Sequence, residues 1–254
     1  MIENTILRKN RRGVKAVVLA LGFPSTTLVE LAAQGGFDAI HLDGEHGAFT
    51  PEAADIICRT ANALGLSVTA RVPNIAPNTI NLWLDRGVQG IIGPHIETGA
   101  EAQQLADACL FPPDGWRSWG GGRGTEFNDS VKLGAAYDGK LGFARWANAN
   151  MLVLAQIESK KGWDNLDAIL KVRGLNGITG GPNDFAASLG HPGEPDHPER
   201  VRLTADAEAR ARKARKRVAS DLTATLTVEE LMLRTGREFV AAHAKDKVGP
   251  LRLR

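Results

Sequence analysis

The sequence predicts an α/β protein that folds as a single-domain (β/α)8 TIM barrel. Short apolar, β-branched runs alternate with longer segments of helical period, which is typical of parallel βαβ units with helices packed outside the sheet. Eight such units within 254 residues match the size of a barrel. The segment after the first run, "LGFPSTT", lacks the GxGxxG turn that is usual in a doubly wound open sheet, so we prefer the barrel.

The predicted strands are short runs dominated by apolar side chains. In chain order they are "KAVVLALG" (15–22), "FDAIHLD" (37–43), "LSVTARV" (66–72), "VQGIIGP" (88–94), "MLVLAQIE" (151–158), "LNGITGG" (175–181), "KRVASDL" (216–222) and "REFVAAH" (237–243). Because helical segments separate them, we expect all eight to lie parallel in one sheet.

The segments between these runs show helical period and helical end signals. They are "STTLVELAAQGG", "TPEAADIICRTANALG", "APNTINLWLDRG", "TGAEAQQLADACL", "KKGWDNLDAILKVRG", the stretch 198–213 and "TVEELMLRTG". Several begin near Ser, Thr or Asp and end at Gly, the usual start and stop residues of helices. The start at "TPEA" is the clearest, because Pro51 suits the first helical turn.

One region interrupts the alternation. Residues 111–145 are longer than an ordinary connection and are rich in Gly, Trp and Arg. Long loops in compact domains are usually functional, and an insertion after the fourth strand of a barrel would lie on the face that carries active sites. We therefore expect one domain over residues 1–254, with a long loop insertion at about 111–145.

Composition limits the classes of function. A hydrophobic fraction of 43% with 24% charged residues is that of a soluble globular protein. The net charge of +2 is too small to favour nucleic acid as a partner, and the basic run 210–217 has interspersed Ala and no aromatics, which favours a solvated helix face. No stretch approaches ~20 apolar residues, so no membrane span is expected.

The cysteines and the N-terminal segment indicate the compartment. Cys58 and Cys109 are far apart, and no CxxC or Cys/His metal spacing is present, so neither a disulfide framework nor a zinc site is expected. The segment "RKNRRGVKAVVLALGF" imitates a signal peptide, but Lys15 interrupts its apolar part and no clear cleavage site follows. We expect a cytoplasmic protein.

Polar side chains gather at the ends of the predicted strands. In a barrel the carboxyl ends of all strands meet at one mouth, so residues far apart in sequence would surround one pocket. The residues at these positions are Asp43, Glu45, His46, Arg71, His95, Gln156, Glu158 and Asp184.

These residue types indicate a metal site with an acid/base group. Glu158 and Asp184 could bind a hard divalent ion through two carboxylates and leave positions for water and substrate. Arg71 can bond a carboxylate or a developing oxyanion. His46 is the natural general base, and Asp43 could orient it.

Three further groups complete the predicted pocket. Gln156 shares a strand face with Glu158, two residues on. The turn Gly180-Gly181-Pro182 opens a short helix and offers free backbone N–H groups to a substrate carboxylate, and we count Gly181, Pro182 and Asn183 as substrate-binding residues. We assign Glu45 to the shell around the metal's waters or to support of its own loop.

A divalent ion, a base and an arginine together indicate enolate chemistry on a 2-oxo acid. A lysine Schiff base is the rival mechanism among aldolases. Its nearest candidates, Lys160 and Lys161, follow the fifth strand in a polar helix start, so we disfavour it.

At this point the sequence resembles the HpcH/HpaI aldolases, which are class II, metal-dependent pyruvate aldolases acting on 4-hydroxy-2-oxo acids. The resemblance covers roughly residues 36–190, and the DGEH, QxES and GPxD elements together are highly specific. The segments that carry it are "GFDAIHLDGEHG", "VTARVP", "GIIGPHIETGAEA", "LAQIESKKGWDNLDAIL" and "GLNGITGGPNDFAASLG".

The resemblance implies a (β/α)8 barrel in which Glu158 and Asp184 hold Mg²⁺, Mn²⁺ or Co²⁺. It implies reversible cleavage of a 4-hydroxy-2-oxo acid to pyruvate, or a related 2-oxo acid, and an aldehyde, through an enolate stabilised by the metal. Small-molecule 2-oxo acids and aldehydes would then be its partners. The usual assembly in this family is a homo-oligomer, commonly a hexamer.

The resemblance also implies roles for individual residues. His46 would perform acid/base work with Asp43, Arg71 would contact the substrate oxygen, and Gln156 would lie near the bound 2-oxo acid. His41 departs from the pattern, because an apolar strand residue is ordinary there. The sequence from about residue 192 onward also matches weakly.

Two alternatives remain open. Oxaloacetate decarboxylase activity, or another 2-oxo acid lyase activity, would use the same enolate. A barrel that only binds a 2-oxo acid is the alternative outside enzymes, but a binding module has no need of His46. A CoA-ester lyase is a further possibility for which no CoA-binding element is evident.

Overall fold

A computed structural model describes residues 1–247 and 249. Its strands are β1 (Ala16–Leu21), β2 (Ala39–Asp43), β3 (Ser67–Arg71), β4 (Gly90–Gly93), β5 (Leu152–Ile157), β6 (Gly177–Gly180), β7 (Arg217–Val218) and β8 (Thr223–Thr227). Its helices up to β5 are α1 (Thr5–Arg11), α2 (Thr26–Gln34), α3 (Pro51–Ala63), α4 (Pro77–Leu84), α5 (Gly99–Cys109), α6 (Ser130–Tyr137) and α7 (Gly139–Ala149). Beyond β5 they are α8 (Lys160–Asp164), α9 (Leu166–Leu170), α10 (Pro182–Ser188), α11 (Pro198–Lys213), α12 (Ala219–Leu222) and α13 (Val228–His243).

The eight strands form one parallel sheet in the order β7-β6-β5-β4-β3-β2-β1-β8, so the predicted α/β class and parallel strands are confirmed. The sheet is curled, but β7 and β8 do not pair within the part of the chain that the structure describes. The predicted closed barrel is therefore seen only as an open, curled sheet. Its opening has a local cause: only the four residues of α12 separate β7 from β8, whereas a crossover between parallel neighbours needs a dozen or more.

The last two predicted strands are corrected. Of residues 216–222 only Arg217–Val218 are strand, and the rest of that run enters α12. The predicted strand at 237–243 is wrong, because these residues lie inside α13. The Thr227 side chain caps α13 by accepting the N–H of Glu230, and the helix then continues through "REFVAAH" without a proline to stop it. The eighth strand is instead the preceding segment "TATLT".

The region 111–145 is largely helical and does not lie over the carboxyl ends of the strands. Helix α5 separates it from β4, and it contains a 3-10 helix (Arg123–Asn128), α6 and most of α7. It returns to the end of α4, where Gly124 donates its N–H to Asp85 and Arg117 bonds the Leu84 carbonyl. The expected position on the active-site face is therefore wrong, because a segment between a helix and the next strand lies at the amino ends of the strands.

Burial is densest in the middle of the sheet. All six residues of β5 are buried, as expected for a parallel strand that is covered on both faces. The insertion has its own small core, in which Phe143 is fully buried against surrounding aromatic rings. These packed elements hold the carboxyl ends of β2 to β6 in fixed relative positions.

Two surface features bear on the sequence analysis. In the described part of the chain, no helix is both long and apolar enough to cross a membrane. The first half of the basic run 210–217 lies at the end of α11, where Arg210 pairs with Asp167 and Arg212 pairs with Asp221.

Candidate active site

An arginine–aspartate pair links the ends of β2 and β3. The strand register makes Asp43 and Arg71 direct neighbours. Two bonds join them, from Arg71 Nε to Asp43 Oδ1 at 3.0 Å and from Nη2 to Oδ2 at 2.6 Å. Burial acts to raise the pKa of Asp43, but the hydrogen bonds from Arg71 and from the backbone of His46 outweigh it and hold that pKa below its usual value. Asp43 is therefore a fixed anion that aims the guanidinium.

The tight turn after β2 separates the next two side chains. Asp43 Oδ1 accepts the backbone N–H groups of Glu45 and His46, both at 3.1 Å. A Cβ at Gly47 would lie 2.2 Å from the Asp43 carbonyl oxygen, so only glycine fits. The turn directs Glu45 inward, with its side chain 10% exposed, and leaves the His46 imidazole 64% exposed.

Asp43 thus supports the backbone of His46 rather than its ring. The carboxylate that faces the His46 imidazole is that of Glu45, with Oε2 3.9 Å from Nε2. The expected orienting contact from Asp43 to the imidazole is not formed, because the register commits the Asp43 carboxylate to Arg71.

His95 joins two carboxylates across the site. Its Nε2 lies 2.9 Å from Glu45 Oε1, and its Nδ1 lies 3.1 Å from Glu158 Oε1. Its backbone N–H also donates to Glu158 Oε1 at 2.8 Å. These contacts require the left-handed backbone of His95, with φ of 51°, a conformation that costs a non-glycine residue about 1–2 kcal/mol. Sequence reasoning placed His95 at the strand end without assigning this bridging position.

Glu158 is a buried carboxylate with an unusual environment. It is 2% exposed, and burial raises its pKa, with Glu45 and Asp184 adding repulsion against the opposing effect of His95. Gln156 donates from Nε2 to Glu158 Oε2 at 2.5 Å. Desolvated acids near like charges are typical of functional sites.

The start of α10 completes this group. Gly181 is its N-cap, and Pro182, Asn183 and Asp184 form its first turn with no side-chain cap. A Cβ at Gly181 would lie 2.1 Å from Glu158 Oε2, so this close approach also requires glycine. Gly181 is buried, whereas the next three residues are exposed.

The donor set suits a hard divalent cation. Glu45 and Asp184 both repel the Glu158 carboxylate, and carboxylate oxygens are the ligands that Mg²⁺ and Mn²⁺ favour. Glu45 Oε2 is buried without a hydrogen-bond donor among the described residues, although Arg71 Nη1 lies 2.9 Å away. The oxygen chemistry of the predicted ligands Glu158 and Asp184 therefore suits a bound cation, and Glu45 adds negative charge near Glu158.

A cavity of about 530 Å³ opens at the carboxyl ends of the strands. Four predicted site residues line it, namely Asp43, His46, Arg71 and Gln156. Glu158 and Asp184 lie outside its lining, and Gln156 connects it to Glu158. The cavity is also lined by His41, Thr179 and Glu229, of which the sequence analysis singled out only His41. The predicted helix "TVEELMLRTG" covers the start of α13, but the predicted order has no strand at Thr223–Thr227 and so does not place Glu229 at the carboxyl end of a strand.

A larger cavity of about 800 Å³ lies elsewhere, between α5, α7 and the loop before β6. None of the predicted site residues lines it. Size alone therefore does not identify the site; the convergence of buried charges does.

A fixed guanidinium, an exposed imidazole and clustered carboxylates can together bind an anionic carbonyl compound and transfer a proton. Placed at the carboxyl ends of a curled parallel sheet that is flanked by helices, they define an α/β enzyme.

Comparison with known proteins gives the particular family. The HpcH/HpaI aldolase/citrate lyase family matches residues 18–247. A 2-keto-3-deoxy-L-rhamnonate aldolase of Salmonella dublin is 32% identical, over 95% of this chain and 87% of that protein. A hydroxypyruvate/pyruvate aldolase of Pseudomonas aeruginosa is 33% identical, over 94% and 85%. A solved structure of an HpcH/HpaI aldolase/citrate lyase family protein from Burkholderia cenocepacia J2315 superposes with a TM-score of 0.82 at 26% identity, covering 95% of this chain and all of that one.

The chain belongs to the HpcH/HpaI aldolase/citrate lyase family. The predicted resemblance is confirmed, and so is the prediction that the chain is an enzyme of the class II pyruvate aldolase type. The match extends through the C-terminal region that the motifs left uncovered.

Proposed function

We propose that the chain is a divalent-metal-dependent aldolase that reversibly cleaves a 4-hydroxy-2-oxo acid to pyruvate, or a related 2-oxo acid, and an aldehyde. The observation that carries this proposal is the buried Glu158 carboxylate, repelled by Glu45 and Asp184 beside the Arg71 cavity. Two relatives with about one third of residues identical are named 2-keto-3-deoxy-L-rhamnonate aldolase and hydroxypyruvate/pyruvate aldolase, which supports this class of reaction.

Glu158 and Asp184 are the proposed ligands of Mg²⁺, Mn²⁺ or Co²⁺. Bound there, the cation would supply Lewis-acid stabilisation of the negative charge that develops on the 2-oxo acid. Gln156 keeps Glu158 oriented through its 2.5 Å hydrogen bond. His95, which also pairs with Glu45, holds the opposite oxygen of Glu158 and thereby restricts its rotation.

Arg71 is the proposed partner of the substrate oxygens. Asp43 fixes its guanidinium from one side and Glu45 from another, so the group cannot turn away from the cavity. A donor held in advance of the reaction stabilises developing charge without reorganisation. The N–H groups in the uncapped first turn of α10 are a proposed second contact, for the substrate carboxylate.

His46 is the proposed proton carrier. In the cleavage direction its imidazole accepts the proton of the C4 hydroxyl, the C3–C4 bond breaks, and the electron pair of that bond forms the enolate of the 2-oxo acid. Protonation at C3 then gives pyruvate, while C4 leaves as the aldehyde. The exposed position of the ring at the cavity wall allows it to exchange protons with solvent.

The cytoplasmic location and the hexameric assembly belong to the same proposal. Cys58 and Cys109 are buried free thiols, which suits a reducing compartment. Met232, Leu233, Phe239 and Val240 expose a large part of their apolar surface on α13, as a subunit contact would require.

The test is pyruvate release from a panel of 4-hydroxy-2-oxo acids, first with EDTA and then with Mg²⁺, Mn²⁺ or Co²⁺ restored. We expect release to be lost with EDTA and recovered with metal. Undiminished release in EDTA would contradict the metal-dependent mechanism. Release of pyruvate and CO₂ from oxaloacetate alone, with no aldol cleavage, would assign the same site to decarboxylation.

A further inference from the structure

Glu229, at the start of α13, brings a negative charge to the wall of the 530 Å³ cavity. The other carboxylate in that wall belongs to Asp43, whose charge is balanced by Arg71 at 2.6 Å. Glu229 forms no ion pair within the part of the chain that the structure describes. Its charge therefore acts on whatever occupies this part of the cavity.

The pairing of β1 with β8 determines where the Glu229 carboxylate lies. The register sets Ala20 beside Thr227, so two residues further along each segment Gly22 and Glu229 are neighbours. A Cβ on Gly22 would lie 2.7 Å from Glu229 Oε1, because the carboxylate lies against this glycine. Glu229 is exposed at this position, so a ligand in the cavity can reach it.

The same glycine connects Glu229 to the loop of His46. The Gly22 carbonyl accepts the N–H of Ala48 at 2.8 Å, and a Cβ on Gly47 would lie 2.6 Å from that carbonyl oxygen. The Glu229 carboxylate and the residue after His46 thus contact the same glycine. Since His46 is the group that we assign to the C4 hydroxyl, Glu229 lies on the side of the cavity that receives C4 and its substituent.

The other end of the substrate is held by different residues. Under the proposed function, Arg71 and Gln156 border the part of the cavity beside Glu158, where the carboxylate and the 2-oxo group bind. The chain that C4 carries then points away from these groups, along the wall formed by β1, β8 and α13. This chain becomes the remainder of the aldehyde after cleavage.

Resting on that proposed function, we propose that Glu229 determines the acceptor specificity of the aldolase by disfavouring aldehydes that carry a carboxylate. The described lining of the cavity contains no lysine, and its arginine is already bonded to Asp43. A second negative charge near Glu229 should therefore weaken binding, by about three- to ten-fold for charges that solvent partly screens. A neutral aldehyde meets no such repulsion, and a hydroxyl on it can donate a hydrogen bond to the carboxylate.

The position of Glu229 in a helix does not by itself explain this placement. Acidic residues in the first turn stabilise a helix through its dipole, and Glu230 does so as well as Glu229. Glu230, whose N–H is bonded to Thr227 Oγ1, does not line the cavity. Replacing each acid by Gln therefore separates an effect on the helix from an effect in the cavity.

The test is condensation of pyruvate, with Mn²⁺ present, with 4-oxobutanoate or with its methyl ester, which has the same carbon chain without the charge. We expect the parent to have the higher kcat/KM for the ester. Glu229→Gln should raise kcat/KM for 4-oxobutanoate by about three- to ten-fold and leave that for the ester unchanged. Glu230→Gln should change neither value. The gain should shrink at high NaCl, because salt screens exposed charges.

A binding measurement separates this inference from the proposed function. 2-Oxohexanedioate has the 2-oxo acid group of the substrate and a carboxylate at its far end, whereas 2-oxohexanoate lacks that second carboxylate. In calorimetric titrations with Mn²⁺ present, Glu229→Gln should tighten binding of 2-oxohexanedioate by about three- to ten-fold and leave that of 2-oxohexanoate unchanged. Aldol turnover with the same charge preference in the parent and in the Glu229→Gln protein would overturn the role of Glu229 and leave the aldolase standing. A charge-specific gain in binding without any aldol turnover would support the role of Glu229 and contradict the aldolase.

Discussion

The carboxyl ends of β2 to β6 and the C-terminal wall of β7, β8 and α13 are built very differently. In the first region β5 is buried at every residue, and charged side chains make closed networks below 3.2 Å. In the second, no residue of β8 is buried, and only Val228 of the sixteen residues of α13 is buried. The sheet is also open there.

This difference between the two regions corresponds to the position of the proposed catalytic residues. The proposed ligands, the guanidinium and the base all stand on the packed side, where neighbouring elements fix their positions. The C-terminal wall adds only Thr225, Thr227 and Glu229 to the cavity. Changes on the packed side should therefore have large effects on activity and stability, and changes on α13 small ones.

The largest effect is expected for Glu158→Gln. The amide keeps the size of the side chain but removes the negative charge that a divalent cation needs, so metal-restored pyruvate release should be lost. Titration of activity with Mn²⁺ checks this. Glu230→Gln, on the exposed start of α13, is the matched control and should retain parental activity. Metal-dependent turnover in the Glu158→Gln protein would remove this residue from the ligand set.

His46→Ala is expected to have the next largest effect. Loss of a positioned acid/base group lowers turnover by about 10²–10⁴-fold, whereas Glu158 and Asp184 remain to bind metal. We would measure kcat for aldol cleavage together with Mn²⁺ affinity. An unchanged kcat would mean that another group moves the proton. A lost Mn²⁺ affinity would mean that the exposed imidazole has a structural task that its 64% exposure does not indicate.

The same division separates what the sequence could predict from what it could not. Strands β1 to β6 were predictable because their apolar runs are interrupted by clear helix signals. Asp43, Arg71 and Glu158 could be assigned to one edge because parallel strands share their carboxyl ends. Predicting that Asp43 pairs with Arg71 rather than with the His46 ring requires the strand register, and the types of the side chains do not give that register.

The errors have equally local causes. The run "REFVAAH" has strand-like composition, but its neighbours in the chain propagate a capped helix through it. The bridging contacts of His95 depend on its left-handed backbone conformation, which the segment "GPHIE" does not predict. The prediction for the insertion is wrong because the insertion follows α5 rather than β4, and a helix that follows a parallel strand ends near the amino ends of the strands.

One buried and one exposed phenylalanine allow the stability of the two regions to be compared directly. Phe185 on α10 is 2% exposed, whereas Phe239 on α13 is 66% exposed. Phe185→Ala should lower the free energy of unfolding by about 3–5 kcal/mol, and in the monomer, where no subunit contact covers α13, Phe239→Ala should change it by less than about 0.5 kcal/mol. Urea unfolding of both proteins measures this. A large loss for Phe239→Ala would show that α13 is covered in solution, by another copy of the chain or by another protein.

The smallest of the effects on the packed side concerns His41, a polar residue in the sheet. Its Nδ1 lies 2.9 Å from Thr69 Oγ1. Burial lowers the pKa of His41 from 6.5 to about 4; the Asp43 charge opposes this shift and the Arg71 charge adds to it. In the unfolded chain His41 binds a proton near pH 6.5, whereas in the folded chain it does so only near pH 4. The free energy of unfolding should therefore fall as the pH drops through this window, by about 3 kcal/mol at most.

His41→Leu removes the titrating group and should flatten this part of the pH profile. Urea unfolding at pH 7 and pH 4.5 gives the difference for the parent and the variant, and His243→Ala on exposed α13 serves as the control that leaves the difference intact. An equal pH dependence in the parent and in the His41→Leu protein would mean that His41 takes up its proton in the folded state as readily as in the unfolded one. That result would place solvent, rather than packed side chains, around the middle of β2. The half of the sheet that carries the site would then be accessible to solvent, as the C-terminal wall is.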